Sequence, residues 1–219
     1  DRLYGPDIFL LSNRNFTLWS DSIFMMRITG TLDDPSARLT VDHLAASQGY
    51  GMPPDARQPG SNVLATNDAR VLGAFYHNNT IQFVSNTVDT TTGLAAIYHG
   101  TIGDVYGYPV AHGTIIAEPP VEFGYPNISY SGNTAFSQQA VIGFNHTGDT
   151  LRPGVSAIFS DGKGGYSRRT VIKHGVSSIN ILSGTYERWG DYTGNQRKYN
   201  EPGTVWISGM WCYKTGPTS

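Results

Sequence analysis

The densest grouping of chemistry-bearing side chains in this 219-residue sequence is Glu187-Arg188-Trp189-Gly190-Asp191-Tyr192-Thr193-Gly194. Arg188 carries a planar fork that grips a carboxylate through two parallel hydrogen bonds. Asp191 is a carboxylate that can cap backbone amides or help hold Ca²⁺ among carbonyl oxygens. Phe123-Gly124-Tyr125-Pro126-Asn127 has a similar build, with Asn127 where Asp191 falls. Both segments are therefore expected to open an innermost strand. Two roles stay open for Arg188, Asp191, Tyr192 and Asn127: holding neighbouring repeats together, or contacting a ligand. Asp191 is also the candidate ligand for one structural Ca²⁺, the only cofactor the sequence suggests.

Other reactive side chains fall into less promising patterns. His77 and His146 end comparable segments, and His99 closes a third, but no His-x-His or His-x3-His pair occurs. The expectation is ordinary hydrogen-bonded histidines rather than a zinc site. Cys212 is the single cysteine, so no internal disulfide can form; between Trp211 and Tyr213 it reads as a buried, unreactive thiol. Asp33, Asp34, Asp89, Asp104, Asp149 and Asp161 could serve calcium, but their spacing matches no known calcium loop.

The elements that must position these groups come from an internal repeat of roughly fifty residues, clearest over 61–103 and 127–175. Val71-Leu72-Gly73-Ala74-Phe75-Tyr76-His77 aligns with Ala140-Val141-Ile142-Gly143-Phe144-Asn145-His146, and 94–98 with 155–159. Val205-Trp206-Ile207 closes a shorter copy. Four-stranded repeats of about 40–50 residues are the signature of propeller blades. The expected fold is all-β, a β-propeller with four blades starting near Phe16, Val63, Ile128 and Asp191. The segments Val71–Phe75, Val141–Phe144 and Val205–Ile207 should be equivalent buried strands. Thr17–Ser20, Ile23–Gly30 and Ala37–Leu44 read as strands, Gln48–Asn62 as a loop, and no window has a helical apolar stripe. Open sheet edges are avoided in proteins. Residues 1–219 are thus expected to form one domain or the C-terminal part of a larger six- or seven-bladed ring. Upstream blades or another chain would complete it.

Two motifs carry a resemblance. Ser160-Asp161-Gly162-Lys163-Gly164-Gly165-Tyr166 resembles the Asp-box turn of sialidase-like propellers, with its aromatic one place early. Arg188-Trp189-Gly190-Asp191-Tyr192-Thr193-Gly194, followed by 195–206, resembles segments of secreted bacterial propeller proteins of that superfamily. The likeness covers about residues 63–213. It implies a propeller in which the Asp-box is structural, its carboxylate capping amides and its glycines taking positive φ. It also raises a sialidase-like hydrolase, which needs three convergent arginines, a Tyr–Glu pair and an acid. Only Arg188 and Tyr192 fall at a suitable position, so part of any catalytic set would lie outside this chain.

Composition bounds the remaining classes. Charged residues are 15%, hydrophobic residues 39%, and the net charge is -2, so no general pull toward nucleic acid or anionic membrane is expected. No apolar run reaches the roughly 18 residues of a membrane-spanning helix. Low Lys and Glu, abundant Asn and Thr, and the sequons at Asn15, Asn78, Asn127 and Asn145 point to a secreted or cell-surface protein. Asp1 in place of Met fits processing or trimming. The reading favoured is an extracellular, non-catalytic module binding a glycan or protein partner, with tyrosines such as Tyr106, Tyr108, Tyr125 and Tyr130 as contacts. The hydrolase is the alternative.

Overall fold

The computed structural model describes residues 7–30 and 33–213; Asp1 lies outside them. Every regular element is a strand. A first antiparallel sheet is a meander of Ile8–Asn13 (β1), Ser20–Thr29 (β2) and Arg38–Tyr50 (β3). After Val63–Leu64 (β4), a second meander comprises Val71–His77 (β5), Thr80–Val88 (β6), Ala95–Gly103 (β7) and Val110–Ile116 (β8). A third comprises Glu122–Tyr130 (β9), Ala140–Gly148 (β10), Leu151–Ser160 (β11) and Thr170–Lys173 (β12). Tyr186–Glu187 (β13) pairs in parallel with β4, and Gly194–Arg197 (β14) with Val205–Ser208 (β15) forms a terminal ribbon. None of these sheets closes on itself. Alternating Val, Ile, Phe and Thr produce the strands. At the tight β5–β6 hairpin, Asn78 and Asn79 take φ of 46° and 60°, which asparagine tolerates.

The sheets stack in chain order. Ile23, Met25 and Leu11 of the first sheet pack on Ile81, Phe83, Tyr98 and Ile102 of the second. The opposite face of the second sheet sends Val84, Ile97 and Ile116 against Phe123, Ile128, Ile142 and Phe144 of the third. A third core of Leu64, Tyr125, Ile179, Trp189 and Cys212 gathers the irregular segments. Cys212 is buried and free, as its sequence context suggested. The proline-rich loop after β3 is pinned rather than loose. Gln58 donates to Ile179 O and accepts from Ile179 N, both at 2.8 Å, while Arg57 reaches Glu122 at 2.6 Å and Asp149 at 2.5 Å.

Strands β5, β9 and β14 lie side by side and point the same way. Asn127 Nδ2 donates to Leu72 O at 3.4 Å, and farther along both strands the His77 and Tyr130 rings stack at 4.0 Å. Asn195 Nδ2 donates to Asn127 O at 2.8 Å, and Arg197 lies over Tyr130. Strand β1 runs opposite to β5: Asn13 bonds Ala69 O at 2.7 Å, while Phe9 stacks on Tyr76 at 5.3 Å. It therefore matches the direction of a second strand, not a first.

Several expected positions move. Strand β5 leads its sheet but β10 is second in its own, so the counterpart of β10 is β6. Residues 71–77 and 140–146 resemble one another because both are apolar strands running into a polar hairpin turn, whatever their rank in the sheet. The pairing of 94–98 with 155–159 holds in the topology, both being third strands. Val63 belongs to the parallel pair, and β1 precedes Phe16. Residues 17–29 give one strand from Ser20, not two, and β3 runs on to Tyr50. Val205–Ile207 is half-exposed, since β15 sits in a ribbon with one face open.

Candidate functional site

Asp191 and Tyr192 form a turn ahead of β14 instead of starting the strand. Gly190, at φ 74°, turns the chain there; a Cβ would lie 2.5 Å from Tyr125 and Asn145. Arg188 Nη2 meets Asp191 Oδ2 at 2.5 Å, with the Arg188 side chain 70% exposed. Burial, and then the negative charge of Asp191, push the Tyr125 phenol up; its hydroxyl donates to Ala65 O at 2.8 Å. Tyr192 is 92% exposed. Arg188, Asp191 and Tyr125 thus converge, whereas Asn127 is occupied in the strand ladder.

The partner of Asn127 in the next sheet is Asn195, not Asp191. Asn127 covers Gly73 and donates to Leu72 O; Asn195 covers Gly143 and donates to Val141 O at 3.0 Å. Each glycine leaves room for the side chain of the neighbouring sheet. Among the described residues no group of three or more His, Cys, Asp and Glu side chains could hold a metal. The Asp191 carboxylate is met by Arg188 instead.

A second feature emerges from the second sheet, on the face that meets the third. Its cross-strand rows run Asn86–Ile97–Ile116, then Val84–His99–Thr114, then Gln82–Thr101–His112. Side chains on one face repeat every second residue, so this face passes from apolar to polar along its own strands. The apolar part is covered by the third sheet. The polar part floors a cleft of about 430 Å³, walled by Gln138, Ser160, Gly162, Lys163 and Tyr166.

The floor is a chain of hydrogen bonds with a fixed direction. Gln82 Nε2 donates to the carbonyl of Gln138 at 2.7 Å, which leaves Gln82 Oε1 as an acceptor. His99 Nε2 lies 3.2 Å from that oxygen and must carry the proton. His99 Nδ1 is then the acceptor for the Tyr166 hydroxyl at 2.7 Å. His99 is 4% exposed, and burial lowers its pKa to about 4, so the ring is neutral at pH 7. Burial raises the Tyr166 phenol as well. The whole chain is uncharged.

The wall is built by the glycine-rich turn. Asp161 Oδ1 accepts from Lys163 N at 2.7 Å and Gly165 N at 2.9 Å, and these amide bonds lower its pKa. Gly162 and Gly164 take φ of 73° and 96°, where a Cβ would be strained. The carboxylate caps amides as the motif implied, and the turn carries Tyr166 back to pair with Ser160 and reach His99 in the neighbouring sheet. His77 and His146 make ordinary structural bonds: His77 Nε2 reaches Ala135 O in the β9–β10 loop of the next sheet at 3.1 Å, and His146 Nδ1 meets Ser156 Oγ at 2.6 Å.

Sequence reasoning treated His99 as one more hydrogen-bonded histidine and passed over Gln82 and Gln138. The available signal was the switch from Val84 to Gln82 in one apolar run and from Ile97 to His99 and Thr101 in the next, each at every second residue. Compared with models of known protein families, with curated proteins and with solved structures, the chain matches none.

Proposed function

We propose that the chain is an arc of a β-propeller that works as an extracellular binding module without catalysis, with its ligand site in the cleft over the second sheet. The arc reading is supported by the chain-order stack and by co-directional β5, β9 and β14, one from each successive sheet. Further blades or another chain would cover its open ends. Secretion or surface display is supported by the composition. The observation that carries the functional reading is the cleft lining. It combines amide, hydroxyl and imidazole groups with one ammonium, Lys163, and no carboxylate, whereas glycoside hydrolysis uses a pair of acids. The nearby Asp161 spends one oxygen on two turn amides. A second reading, a sialidase-like hydrolase, is favoured by the convergence of Arg188, Asp191 and Tyr125.

The test is a printed glycan array alongside turnover of fluorogenic sialosides and galactosides. The expected outcome is retention on the array, lost in Thr114→Arg, with no turnover. Turnover abolished by Arg188→Ala would establish the hydrolase instead.

A further inference from the structure

We infer that the cleft takes an uncharged, hydroxyl-rich ligand, a neutral oligosaccharide. This rests on the binding-module reading and narrows it to one ligand chemistry.

The Gln138 amide is held by His77 O and Gln82, and the groups lining the open part of the cleft are Thr80, Thr101, Thr114 and His112. Each of them both donates and accepts hydrogen bonds. Their natural partners are groups that do the same, and sugar hydroxyls are the commonest of these. The sheet sets their spacing. Neighbours on adjacent strands lie about 5 Å apart and neighbours along one strand about 7 Å, the scale of the step from one sugar to the next in an extended pyranose chain.

Charge narrows the choice further. Lys163 is the only Lys, Arg, Asp or Glu in the lining, and Asp161 sits on the same turn to offset it. No arginine lines the cleft, so a sugar carboxylate would find no bidentate partner. A protein partner would need an apolar centre for its anchoring side chains. The cleft's one aromatic, Tyr166, is held edge-on to His99 with ring centroids at 5.8 Å. The floor is already ordered by its hydrogen-bond chain, so binding would cost little reorganisation.

A recess of about 340 Å³ continues the cleft past Gln138, Gly162 and Lys163 to Phe136; Asp161 lines it beside Lys163, so the two opposite charges balance there. The Phe136 ring is 85% exposed and supplies a flat apolar surface on which a following sugar ring can stack. The combined shape suits several linked sugars more than a monosaccharide.

The experiment is titration calorimetry of the whole chain with uncharged tetrasaccharides of the cello, xylo, manno and malto series, and with sialyl-lactose. At least one uncharged tetrasaccharide should bind, and sialyl-lactose should not bind more tightly. Thr101→Val with His112→Ala should weaken that binding about tenfold or more, and Phe136→Ala several-fold, each with an unchanged melting temperature. Arg188→Ala should bind like the parent. Preference for sialyl-lactose overturns the neutral-ligand assignment. Binding that survives the cleft substitutions but is lost in Arg188→Ala overturns the cleft while sparing the module. If no tetrasaccharide binds at millimolar concentration the inference fails, and the array of the preceding section judges the broader reading separately.

Discussion

Trp189 shows how one residue of a chemically suggestive motif can serve packing. Its ring is 1% exposed, edge-on to Tyr125 with centroids at 6.1 Å and against Gly124, in the core that joins the irregular segments to the sheets. Its neighbour Arg188 points outward to an exposed ion pair. Trp189→Ala should cost about 3–5 kcal/mol in urea unfolding, whereas Arg188→Ala should change stability little, as exposed pairs contribute weakly. Equal losses in the two variants would show that the ion pair, and not the indole, anchors this segment.

At the scale of elements, the second sheet depends on two glycines lying under aromatic rings. A Cβ at Gly100 would fall 2.0 Å from Phe83 Cζ, and one at Gly113 would fall 2.1 Å from the Tyr98 hydroxyl. Both rings belong to the core shared with the first sheet, so neither can swing aside into solvent. Gly100→Ala should therefore destabilise by about 1–3 kcal/mol, the range for overpacking. Combining it with Phe83→Leu should cost less than the sum of the two single changes, because the smaller side chain vacates the space. Additive losses in a double-mutant cycle would contradict this coupling.

At the scale of the molecule, burial of neutral histidines makes stability depend on pH. His99 and His146 both have pKa values lowered to about 4 from 6.5; burial is the main cause, and for His146 the charge of Arg169 adds to it. Between those values the unfolded chain binds more protons than the folded one, so stability must fall as pH falls from about 6.5 toward 4. The loss should approach about 3 kcal/mol per histidine at most, and His146→Gln should flatten the profile. Asp68 and Glu187, whose folded-state pKa values are lowered by Arg70 and by the amides of Leu182 and Ile181 against the opposing effect of burial, should add a further loss below about pH 4. Unfolding curves collected from pH 7 to 3 check both steps; a flat profile would contradict them.

The sequence by itself determined the all-strand character, because alternation of Val, Ile, Phe and Thr against polar neighbours is local information, although it missed β1 and divided β2 in two. It also determined the chemistry of the Asp161 turn, where a carboxylate and two glycines act within five residues. It could not rank strands within their sheets: 71–77 and 140–146 share a pattern yet occupy first and second positions. Nor could it show that Asn195 rather than Asp191 is the partner of Asn127, since that depends on which glycine each asparagine covers. The cleft was legible only as an unexplained polar switch on β6 and β7. Gln82, His99, Gln138 and Tyr166 come from four separate stretches of chain. Only the packing of the third sheet against the second decides which part of that face is buried, which stays open, and which side chains meet across the gap.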